Sequence, residues 1–147
     1  MLALRRLYFA IDHADRSYSY GINHSNRKVW PEHFWEHDSF EVHGPIRHAY
    51  DKPIERIRLH VGPIRIPRER FNAEATCIGA AWMEERTTLY VGVEVPADAF
   101  YSLAEGVGRG VFKEVSITLL DLKRGKARVD GVCLEAKLTA DDDLCVI

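Results

Sequence analysis

Histidine and aromatic side chains crowd one stretch of this chain. Five of its seven histidines, His24, His33, His37, His43 and His48, lie between Asn23 and Pro53, among Trp30, Phe34, Trp35, Phe40 and Tyr50. Imidazoles ligate transition metals and exchange protons near neutral pH, so metal or acid–base chemistry would sit here first. The string His33-Phe34-Trp35-Glu36-His37 has H-x-x-E-H spacing. On a helix, positions i, i+3 and i+4 share a face. Two imidazoles would then hold zinc while Glu36, as general base, activates a bound water.

The string resembles the zinc motif of the inverted-motif metallopeptidases, the insulysin and pitrilysin family. That resemblance implies a zinc-bound water, ligands His33 and His37, and a third ligand from a glutamate far downstream, for which Glu114 lies at a compatible distance. The family carries its motif inside a substantial helix of a larger α/β domain. Here Trp30-Pro31-Glu32 and Gly44-Pro45 bound the segment, leaving room for one or two turns between Pro31 and His37. A simpler metal site would draw on His33, His37, His43 and His48. Against both stands packing: half-buried, hydrogen-bonded imidazoles set among aromatic rings. Packing takes precedence, so no cofactor is expected, with zinc as the alternative.

Three other patterns bear on chemistry. Lys52, Arg56, Arg58, Arg65, Arg68 and Arg70 face only Glu55 and Glu69, a local charge of +4. Arg56, Arg58 and Arg65 would form a stripe suited to phosphate or carboxylate. No aromatics interleave to stack bases, so nucleic acid is not expected, and pairing with acids of a neighbouring strand is preferred. Gly106, Gly108 and Gly110 close a helix rather than open one, so they read as a turn and not a phosphate loop. Cys77, Cys133 and Cys145 lack CxxC spacing and suit a reduced compartment.

The elements that must position these groups follow a period of two. Leu89, Val91, Val93 and Val95 alternate with Tyr90, Gly92 and Glu94, as Ile57, Leu59 and Val61 do with Arg58 and His60. Strand side chains change face at each residue, so one side is dry and the other wet. Ala75–Met83 and Thr87–Val95, joined by Glu84-Glu85-Arg86, predict a hairpin. Leu7–Ile11 and Tyr18–Ile22, with a turn over Asp12–Arg16, predict another. The phase slips at Gly62-Pro63, where a bulge would keep Ile57, Leu59, Val61, Ile64 and Ile66 on one face. Val115, Ile117 and Leu119 begin a further strand, Lys123–Lys126 is a turn, and Val132 to Leu138 alternate after it. Pro96, Asp98, Phe100, Leu103 and Ala104 mark one short helix.

At 147 residues, with 46% hydrophobic and 29% charged side chains, the chain fits a single domain, 1–147, able to bury its own core. A net charge of -2 gives no bulk attraction to polyanions or membranes. Arg5 and Arg6 interrupt the first apolar stretch, so neither an export signal nor a membrane span is expected, and the cytoplasm is the expected compartment. The fold expected is mainly β, an antiparallel sandwich of about seven or eight strands with one short helix, with α+β as the alternative. The function expected is a non-catalytic protein-binding or self-assembling module that presents Trp30, Phe34, Trp35 and Phe40. A small zinc hydrolase and an anion binder are the alternatives.

Overall fold

In the computed structural model, described over residues 4–22, 34–48, 53–120 and 123–144, the alternating segments are strands. In chain order they are β1 (Leu4–Ala10), β2 (His13–Ile22), β3 (Phe34–Pro45), β4 (Arg56–Pro63), β5 (Gly79–Met83), β6 (Thr88–Val95), β7 (Glu114–Leu120) and β8 (Lys126–Glu135). Helix α1 (Arg68–Glu74) precedes β5 and α2 (Ala97–Gly108) follows β6, with one 3-10 turn at Asp141–Asp143. The architecture is mainly β, as the alternation requires.

All eight strands belong to one sheet, ordered β1-β7-β8-β5-β6-β4-β3-β2, where the spacing had suggested two. Neighbours are antiparallel except β4 and β6, which run parallel with Leu59 opposite Val91. That pair needs a crossover, and the chain makes it through α1 and β5. The sheet curls without closing into a barrel. An isolated bridge from Phe9 to Ile46 brings β1 back toward the end of β3. There, Gly44 lets the strands approach so closely that a Cβ on it would lie 1.6 Å from the Ala10 carbonyl oxygen.

The curl gives one apolar interior lined by a single sheet. Leu7, Phe9, Val42, Ile57, Leu89 and Ile117 are fully enclosed. Helix α2 covers part of that interior with Phe100 and Ala104, and the Phe100 ring stacks on Phe40 at 5.6 Å. Pro96 caps α2, and Asp98 sits in its first turn, where a negative charge is favoured. The helix ends in a Schellman turn: Gly110 takes φ 71°, Val111 N–H donates to the Gly106 carbonyl at 2.9 Å, and Gly110 N–H donates to Val107 at 3.1 Å. The glycine string is therefore a helix end.

Three local expectations need correction. β1 and β2 form no hairpin: β1 pairs with β7 and β2 with β3. The chain switches partners at Ile11 and Asp12, whose N–H groups donate to Lys113 and His43 carbonyls respectively. Most of the stretch read as a turn, from His13 onward, is strand. No bulge keeps Ile66 inside either; β4 stops at Pro63, Ile64 stays buried, and Ile66 is exposed. The register shift falls instead between β7 and β8, at Thr118 and Leu119. Lastly, α1 is a second helix. It buries none of its residues, so it left no apolar period to read.

Candidate functional site

Along β3, the burial pattern turns Asp38, Phe40, Val42 and Gly44 inward, leaving His37, Ser39, Glu41 and His43 on the wet face. β2 pairs with it so that His13 lies opposite His43 and Asp15 opposite Glu41. His13 and Asp15, two residues apart on one strand, therefore share the face on which His43 lies across the ladder. Their side chains meet. His13 Nε2 is 3.1 Å from Asp15 Oδ2, and the His13 and His43 rings are 4.5 Å apart. One ligating atom from each of the three residues lies within 4.8 Å of the others. No other such cluster occurs among the described residues.

The surroundings of His43 favour its neutral form. Partial burial lowers its pKa below the ordinary histidine value, and the neighbouring His13 and Arg56 push the same way, against Asp12 and Asp15. Asp12 is itself occupied. It accepts two hydrogen bonds from Arg56, at 2.8 and 3.0 Å, and these hold its pKa below the usual carboxylate range.

The groups singled out by sequence are placed otherwise. His33 and Trp30 lie outside the described residues. Glu36 and His37 are consecutive on β3 rather than on a helix, so their side chains leave opposite faces and cannot act together on one metal. Glu36 accepts from Tyr18 Oη at 2.8 Å, while the His37 ring lies 5.6 Å from Trp35. Glu114 is enclosed and committed elsewhere. It pairs with Arg47 and accepts from the Thr139 hydroxyl at 2.6 Å. The helical H-x-x-E-H arrangement is thus absent, because the segment pairs with β2 over its whole described length.

Arg56 and Arg58 do line the wet face of β4, already neutralised, while Arg65 lies past the end of the strand. Arg56 holds Asp12, Arg58 bridges Glu41 at 2.8 Å and Glu84 at 3.0 Å, and Arg65 lies 3.5 Å from Glu36. Of the aromatics, Phe40 is a core residue, Phe34 is half-buried, and Trp35 is exposed, its ring lying across Gly21. Two residues of the cluster, His13 and Asp15, escaped sequence reasoning. Their H-x-D spacing was a usable signal, but it matters only once the segment is known to be strand.

The same face holds an open groove of ≈ 550 Å³ between β3 and β5. Gly62 and Gly92 leave its floor without side chains, and His37, His60, Trp82 and Glu94 line it. Trp82 and Tyr90 rings lie 4.6 Å apart, with the Arg58 guanidinium over Tyr90 at 5.4 Å. Among the described residues, no helix is long and apolar enough to cross a membrane. Compared with protein-family models, curated proteins and solved structures, the chain matches none.

Proposed function

We propose that this domain is a non-catalytic binding module whose β2–β3 ribbon docks an extended protein segment, a second copy of the chain being the first candidate. One observation carries the reading. β3 is in register with β4 only from Phe40 onward, so Phe34–Ser39 pair with β2 alone among the described residues. Ser17–Ile22 and Phe34–Ser39 therefore form a two-stranded ribbon that runs past the β3–β4 pairing, tied to the body of the sheet at its base by buried Asp38 and by Arg65 at Glu36. Such a ribbon is marginal in water without further burial. Yet it exposes Tyr18 (60%), Tyr20 (62%) and Trp35 (40%).

Among the described residues β2 is also the last strand of the sheet, and its outer edge would offer main-chain donors and acceptors to an added strand. Tyrosine and tryptophan bring large contact area with few rotamers to freeze, the usual anchors of a docked segment.

Sedimentation velocity over a wide concentration range tests this, comparing the native chain with a Tyr18→Ser, Tyr20→Ser double variant whose fold is checked by circular dichroism. Reversible dimerisation that weakens at least about tenfold in the variant is the expected result. A chain that stays monomeric into the millimolar range, or a folded variant that associates as strongly as the native one, overturns the reading.

A further inference from the structure

We propose that His13, Asp15 and His43 bind one divalent transition-metal ion on the outer face of the sheet. The site lies at the end of β2 away from the ribbon tip and does not depend on the docking reading.

Strand geometry brings the three side chains together. Residues i and i+2 on one strand point the same way about 7 Å apart, and a residue directly across the ladder has its Cβ about 5 Å away. Two histidines and an aspartate on such a triangle reach a common point above the sheet. Metal–nitrogen and metal–oxygen bonds of about 2.0–2.2 Å place ligand atoms about 2.8–3.6 Å from each other, depending on the coordination angle. The His13–Asp15 pair already meets this at 3.1 Å. His43 lies within 4.8 Å of both, and side-chain rotation of the exposed His13 and Asp15 closes the remainder.

The donor set selects the class of ion. Two imidazoles and one carboxylate, without thiolate, suit zinc, iron(II), nickel(II) or copper(II). Calcium and magnesium prefer all-oxygen sites. One carboxylate leaves a dipositive ion with a net charge of +1, so a further anionic or neutral ligand is still attracted. Three ligands all supplied from the sheet side leave the solvent side open, and water or a small Lewis-basic molecule would complete the shell. Neighbouring Asp12 is held by Arg56, so it borders the site rather than filling it.

The competing account is a surface hydrogen bond between His13 and Asp15 with His43 merely stacked beside it. The two accounts differ in a titration. Zinc and cobalt(II) are titrated separately into the chelator-treated native chain, followed by calorimetry and, for cobalt, by visible absorption. Binding of one equivalent is expected, with cobalt bands reporting nitrogen and oxygen ligation. His13→Ala, Asp15→Ala and His43→Ala each weaken it by roughly a hundredfold. His37→Ala and His60→Ala, on the same face but outside the cluster, leave it unchanged. Circular dichroism confirms that each variant is folded. Three results overturn the site: no stoichiometric binding to the native chain, binding that survives His13→Ala together with His43→Ala, or binding lost in His37→Ala or His60→Ala.

Discussion

The carboxylate of Glu114 is held by the guanidinium of Arg47, 67 residues earlier in the chain. Glu114 is 1% exposed and Arg47 14%, so the pair sits where water screens little. Thr139 donates twice to Glu114, and Arg47 also reaches the Thr139 carbonyl at 2.6 Å and Asp141 at 2.8 Å. This network pins the segment after β8 against the start of β7. Arg47→Ala strands a buried carboxylate, and such losses cost about 3–5 kcal/mol; the two Thr139 bonds place this one near the lower end. Urea denaturation checks it, and an unchanged midpoint with an unchanged slope would contradict it.

Two strand glycines should respond very differently to alanine. Alanine at Gly44 drives its Cβ into the Ala10 backbone, which cannot yield without parting β1 from β3. At Gly92 the nearest heavy atom is Tyr90 Cε1, at 3.7 Å. Gly44→Ala is expected to lose more than about 4 kcal/mol or fail to fold, with Gly92→Ala near neutral. Thermal melts of both variants decide the matter. Equal melting temperatures would mean that β1 does not return to β3 as described.

Phe40 belongs to the interior, so its loss should act on stability and not on association. Phe40→Ala or Phe100→Ala should each cost about 3–5 kcal/mol. The double variant should cost less than their sum, because the stacked pair contributes about 0.5–1.5 kcal/mol that is lost only once. A double-mutant cycle in denaturant measures the coupling. Strict additivity would show that the rings do not touch.

Asp98 offers a pH-dependent contact between the two helices. Arg68 donates to it at 2.6 Å, and chiefly for that reason its carboxyl titrates below the ordinary value of 3.8, against the opposing effect of desolvation. A carboxylate depressed in the folded state stabilises above its unfolded pKa, and that contribution fades as pH falls through the folded value. Carbon-13 NMR of the Asp98 carboxyl should show the low titration, and Arg68→Ala should return it upward. An Asp98 titration that ignores Arg68→Ala would refute the contact.

Much of the fold was legible because alternation survives wherever one face is dry. Ile57, Leu59 and Val61, then Leu89 to Val95, then Val115 to Leu119 all point inward as their spacing required. The β5–β6 hairpin and the Lys123–Lys126 turn were equally plain, since short connections leave few partners to choose among. Partner choice over longer distances was not legible. Nothing local distinguishes β1 beside β7 from β1 beside β2, because both pairings keep Leu7 and Phe9 inside. β3 was obscured by aromatics on both of its faces and histidines on one. For the same reason the His13–Asp15–His43 cluster was only partly visible: His43 stood among the candidates, but its companions come from a strand whose register is set by tertiary structure.

The seating of β1 beside β7 bears on how the molecule is made. Leu4 meets Leu120, and Leu7 meets Ile117, so the earliest strand waits for more than a hundred further residues before it finds its neighbour. At cellular synthesis rates of about 5–20 residues per second, that delay is on the order of ten seconds. Throughout it, Leu7 and Phe9 lack the strand that pairs with theirs, with only the short contact to the end of β3 on offer, and apolar surface left unpaired so long is where overproduced protein is expected to clump first.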